Sequence, residues 1–164
     1  NLPPYLTSDI IELLFFNFCE NFPNETNKLY FSSCSNSFLA KQKTTLILTV
    51  YLPLAFSNVT VFKTLLLWSA WNLHSSKSSE SKLKDASNII ENLYNEIIVE
   101  LNHRLSFRSA VCCDHTMSIV LLLLYIENLK AENTAKYWFG LVNLMGKMIS
   151  LRGGVENLTK TSTG

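Results

Sequence analysis

The residues with the most chemical potential in this chain sit together in the run CCDHT at 112–116. A cysteine at a helix start is biased toward thiolate, and a nearby imidazole is a common base for such a nucleophile. Cys113 and His115 supply the types but not the geometry, because residues two apart in a first helical turn point in different directions. The run reads as a capping turn with half-buried thiols, and no catalytic residue is assigned. Adding His103 collects four zinc-type ligands in Cys112, Cys113, His115 and His103. Their spacing lacks the paired short intervals of structural zinc sites, so no metal ligand is assigned. The motifs of nucleotide loops, nucleophile elbows and zinc proteases do not occur.

Other conspicuous residues have plainer readings. Trp68, Trp71 and Trp138 stand on apolar faces and are expected in the core, with lining of a ligand pocket as the other reading. Ligand-binding residues stay unassigned. His74 is expected at the surface end of a helix. Arg152-Gly153-Gly154 is one copy of an RGG tripeptide after a helix, which makes it a C-cap rather than an RNA-binding segment. Three glycosylation-type sequons, at Asn24, Asn58 and Asn157, match chance expectation in a chain rich in Asn, Ser and Thr. Cys19, Cys34, Cys112 and Cys113 form no C-x-x-C unit and read as reduced thiols of an intracellular protein.

Composition bounds what these residues can belong to. With 48% hydrophobic and 16% charged residues, 164 residues suffice for a buried core and argue against disorder. A net charge of +1 argues against a nucleic-acid surface, which needs clustered Lys and Arg. The longest apolar run, Ile119 to Ile126, is far shorter than the roughly 20 residues of a membrane span. It predicts a buried core helix and no membrane partner. The chain opens at Asn1 and closes in the polar run TKTSTG, which reads as an excerpt of a longer protein.

Helices account for nearly all of the patterning. Asp9 is the expected N-cap of a first helix, with Glu12 three residues on, and Pro23 is expected to end it. The run SSCSNS at 32–37 reads as loop. Residues 44–56 are rich in β-branched types, with Pro53 expected to kink or break a helix, and are assigned to helix from their context. Asn58 caps a buried helix through His74. Residues 75–82 read as a flexible Ser-rich connection, a solvated loop rather than a phosphate acceptor. The clearest helix spans 83–105, its inner face traced by Leu83, Ala86, Ile90, Leu93, Ile97, Leu101 and Leu105. Asp114 is the expected cap of an apolar helix through Glu127. The last helix runs from about Glu132 to Leu151, with a stripe of Ala135, Trp138, Val142, Met145 and Ile149 widened by Leu141 and Met148. Arg152 suits its negative end, and Gly153 can take the left-handed cap. Residues 1–164 thus read as one helical region, an all-α antiparallel array ending in a polar tail at 155–164.

Two stretches resemble the regulatory, fungal-specific transcription factor domain of zinc binuclear-cluster regulators. In the first, the family's aspartate, Leu-rich helix, tryptophan and closing RGG are matched by Asp114, Thr116, Leu121 to Leu124, Tyr125, Glu127, Trp138, Ile149, Arg152, Gly153 and Gly154. In the second, a helix pair is matched by Leu52-Pro53-Leu54-Ala55, Ser69-Ala70 and Leu73-His74. Together they cover about residues 45–155. Leu141-Val142 stand where the family has His-Leu, and Leu144-Met145 where it has Gly-Ala; bulkier residues at the small positions push a neighbouring helix away or fill a gap. The resemblance implies an all-helical fold, the N-terminal part of a larger helical domain, and action in the nucleus. It also implies control of transcription by a small-molecule effector or a protein partner, with homodimerisation as one form of partnering. DNA would be bound through a separate zinc-containing module, and no cofactor is expected in this segment. The alternative is a free-standing helical protein that binds an apolar small molecule.

Overall fold

The computed structural model describes residues 2–30, 47–75, 86–130, 135–154 and 156. Among these the fold is all-α: α1 (Ser8–Tyr30), a π-helical turn (Ile47–Tyr51), α2 (Leu52–Ser57), α3 (Val59–Ser75), α4 (Ala86–Leu105), α5 (Arg108–Val111), α6 (Asp114–Leu129) and α7 (Ala135–Leu151). The expected loop at 32–37 lies outside the described residues, as do Leu83, Glu132, the tail apart from Glu156, and the expected connection at 75–82 apart from Ser75, which is the last residue of α3.

The helix starts follow local chemistry, with two corrections. Asn58 caps α3 as expected, its Oδ1 accepting from the backbone N–H of Thr60 at 3.1 Å and of Val61 at 3.2 Å. Helix α1 begins before Asp9: the Thr7 carbonyl accepts from the Ile11 N–H at 3.0 Å, leaving Asp9 in the first turn, where its charge suits the dipole. Cys113, not Asp114, is the N-cap of α6, and its sulfur accepts from the Thr116 N–H at 3.5 Å. Asp114 is the first helical residue instead.

Pro23 behaves differently from the sequence reading, whereas Pro53 stands where the π-helical turn gives way to α2. Helix α1 continues through Pro23 to Tyr30. An internal proline forfeits a backbone hydrogen bond, and tertiary packing outweighs that loss here. Leu14, Phe18 and Phe22, four residues apart, are buried on one face of α1. Pro53 lies in the first turn of α2, where a missing N–H has no intrahelical acceptor to lose.

Helix α3 is the centre. It packs against α1, α2, α4 and α6, and every residue from Thr64 to Ala70 is buried. Trp68 meets Phe18 and Phe22 edge-on, with ring centroids 5.7 and 5.0 Å away, and Phe22 in turn meets Tyr51 and Tyr125. This aromatic knot ties α1, α3, α6 and the π-helical turn together. Helix α4 presents the predicted face, burying Ile90, Leu93, Ile97 and Leu101, with Ile89 added. Outside this face, Glu96 accepts from the Tyr5 hydroxyl at 2.8 Å and from Lys63 at 2.6 Å. Burial and the Glu96 carboxylate together push the Tyr5 phenol well above its ordinary range.

Helices α3 and α4 run antiparallel, as do α6 and α7, whereas the centre does not. The start of α6 meets the end of α7 through Asp114 and Arg152, and the start of α3 meets the middle of α4 through Lys63 and Glu96. By contrast α1, α3 and α6 share a direction. Ser57, just before α3, touches His115 at the start of α6, and Trp71 near the end of α3 touches Lys130 just beyond the end of α6.

Helix α7 packs against α6 with Leu141, Leu144, Met145 and Met148, and of these Met148 is fully buried. The predicted stripe is therefore rotated. Val142 is 36% exposed, and Trp138 is only half-buried, its ring meeting Phe139 edge-on at 5.2 Å. At the far end Gly153 and Gly154 have φ of 98° and 84°. The Gly153 N–H donates to Ser150 and that of Gly154 to Ile149, closing the helix in the expected left-handed cap.

Candidate functional site

A cleft of about 600 Å³ opens between α2, α6 and α7. Its walls come from Val50 and Leu54 on one side, Met117 and Leu121 on α6, and Met145 and Ile149 on α7. One end is charged. Arg152, just past α7, donates to the Asp114 carboxylate at the start of α6, and its Nη1 also lies 3.3 Å from the Met117 sulfur. The two partners differ in setting: the Arg152 side chain is 20% exposed and that of Asp114 60%. Helix geometry explains the pairing, since antiparallel α6 and α7 bring the first residue of one beside the residue after the other. A volume of this size, apolar walls and a few polar groups are the attributes of a small-molecule site.

Residues of the sequence signature that lie far apart in the chain converge here. Pro53, Leu54, Asp114, Leu121, Ile149 and Arg152 all line the cleft. Sequence reasoning placed Arg152 at a helix end but missed its partner. The available signal was a pair of opposite charges flanking two helices expected to lie antiparallel. Of the bulkier residues at 144–145, Leu144 packs on the core and Met145 forms cleft wall.

The CCDHT residues are distributed among separate partners. His115 Nε2 lies 2.9 Å from the Ser57 hydroxyl, joining α6 to the end of α2. Cys113 is engaged in the cap and lies 3.1 Å from the Thr116 hydroxyl, and the Cys112 thiol approaches the Met148 carbonyl at 3.9 Å. His103 instead meets the Phe107 ring, 5.0 Å away. Among the described residues no group of three or more His, Cys, Asp or Glu side chains converges as a metal site would.

A second polar device lies at the other end of α6. The Glu127 side chain is 2% exposed and pairs with Lys130, whose ammonium stands 5.5 Å from the Trp71 ring centroid and 4.7 Å from that of Tyr94. Burial, then the negative charge of Glu127, pushes the Tyr94 phenol up. A smaller cavity of about 310 Å³ lies beside it, lined by Trp71, His74, Ile90, Tyr94 and Lys130. The expectation for tryptophan thus divides: Trp68 is core, while Trp71 is half-buried and faces a pocket. His74 is exposed, as expected.

No described helix is long and apolar enough to cross a membrane. No curated protein and no solved structure matches the chain. Residues 29–163 match the fungal specific transcription factor domain, a stretch that takes in α2 through α7 and both ends of the cleft. With that match over most of its length, and with an all-helical fold that brings six of the signature residues to one cleft, the chain belongs to the family of fungal specific transcription factor domains and has a regulatory role in a transcription factor.

Proposed function

We propose that this chain is the effector-responsive and partner-binding region of a nuclear, sequence-specific fungal transcription factor, and that it does no catalysis of its own. DNA contact belongs to a separate zinc-cluster module, because a net charge of +1 offers phosphate no basic surface. The observation that carries the reading is the convergence of signature residues from α2, α6 and α7 on one cleft. A ligand there touches three helices at once, so its binding energy biases their relative packing, which is what a regulatory switch requires. Cys113 is engaged in the cap of α6, and His115 meets the Ser57 hydroxyl rather than that thiol, which supports a non-catalytic reading of the run CCDHT.

The same cleft favours the alternative of a free-standing binder of an apolar small molecule, and one experiment separates them. Leu123→Asp puts a carboxylate in a buried position of α6. In the full-length protein it should change reporter output, with and without candidate inducers, while occupancy at the target promoter is retained. Equal abundance, equal occupancy and an unchanged response would remove the regulatory reading.

A further inference from the structure

We propose that the cleft between α2, α6 and α7 binds a small amphipathic carboxylate, its apolar body against Leu54, Leu121 and Met145 and its carboxylate replacing Asp114 on the Arg152 guanidinium. The inference rests on the effector-response reading and gives it a ligand class.

The asymmetry of the ion pair carries it. Arg152 is the held partner: its side chain is 20% exposed, it touches the Met117 sulfur at 3.3 Å, and its backbone N–H donates to Met148 in the last turn of α7. Asp114 is the released partner, 60% exposed, so water can take over its carboxylate when it swings away. Exposed ion pairs are weak, and exchanging one carboxylate for another on a guanidinium preserves its preferred planar pairing. The incoming anion also stays beside the amino-terminal end of α6, where the helix dipole favours negative charge.

The remaining walls choose the rest of the ligand. Val50, Leu54, Met117, Leu121, Met145 and Ile149 present apolar surface from four elements, and methionine side chains adapt to differing shapes. A neutral apolar molecule would fill these walls and draw nothing from the charged end. A cation would bring a second positive charge beside the Arg152 guanidinium. A carboxylate with an apolar body satisfies both halves of the cleft.

The test is calorimetric titration of the full chain with three probes of equal length: decanoate, decanol and decyltrimethylammonium. Decanoate should bind one to one and about tenfold or more tighter than decanol, the scale of a charge-assisted contact. Arg152→Gln should remove that advantage and leave decanol affinity unchanged. Asp114→Asn should tighten decanoate several-fold, because the competing carboxylate is gone. Opposite effects from two halves of one ion pair would not arise from a merely structural role, which predicts loss in both. Equal binding of decanoate and decanol, preference for the cation, no one-to-one decanoate binding, or weakening by both substitutions would each overturn the proposal. Reporter measurements keep the two readings apart. Decanoate binding with no response to Leu123→Asp removes the regulatory reading and keeps the site. A response to Leu123→Asp with no decanoate binding removes the site and keeps the regulation.

Discussion

Helices α3 and α7 are of equal length and are both rich in large apolar residues, yet they meet opposite fates. Helix α3 has α1, α2, α4 and α6 around it, and Trp68, Leu65, Leu66 and Leu67 are all shut off from water. Among the described residues, helix α7 packs closely on α6 alone, burying Met148 while Tyr137, Phe139 and Leu151 stand 62%, 59% and 59% exposed. Gly140 and Gly146 face open space. The contrast teaches that burial is assigned by the number of faces a helix has covered, not by its own composition. It also locates the cleft. The cleft forms where a fully packed body meets a helix held along one side, and such a helix can shift at small cost.

The contrast is broken most directly at Trp68. Removing its ring empties the centre of the aromatic knot, and Trp68→Ala should cost about 3–5 kcal/mol in urea unfolding. A loss below about 1 kcal/mol would show that α3 is not the keystone. Met148→Ala tests the single fully buried contact of α7 and should cost about 2–4 kcal/mol. If it costs as much as Trp68→Ala, α7 is as integral to the fold as α3 and the comparison fails. Lys130→Ala sharpens the central side, since it strips the buried Glu127 carboxylate of its ammonium and should cost about 1–3 kcal/mol by the same measurement. Restoring the loss with Glu127→Gln in the Lys130→Ala background would confirm that the negative charge of the buried carboxylate is the cause. Val142→Ser, on the outer side of α7, should change stability by less than about 0.5 kcal/mol. A larger loss would mean that another surface covers this face in solution.

Much of the helical framework was legible in the sequence, for reasons that differ between elements. The inner face of α4 followed from its spacing of three and four, since helical geometry alone decides which residues share a side. Asn58 and Gly153 were legible because their roles are local, a side-chain oxygen reaching N–H groups two and three residues on and a glycine free to adopt positive φ. Cys113 was missed as the cap of α6 because Asp114, its neighbour, has the stronger preference for that position. Continuation through Pro23 was missed because packing of Phe18 and Phe22 on Trp68, 46 or more residues away, is absent from any local pattern. Of the candidate site, the signature residues were visible as a list along the chain, without a place where they meet.

The division has one physical reason. Periodicity, capping and charge at helix ends act within a turn or two, so residue order by itself determined that this chain is all-α, where most of its helices lie, and that Gly153 closes the last one. Burial and ion pairing depend on what stands opposite in space. Asp114 and Arg152 are 38 residues apart and meet only because α6 and α7 run antiparallel. That α7 turns Leu141 and Met148 inward rather than Val142, and that Val50, Leu121 and Met145 share one cleft with that ion pair, was decided by the tertiary structure, which places each helix face against either a neighbour or water.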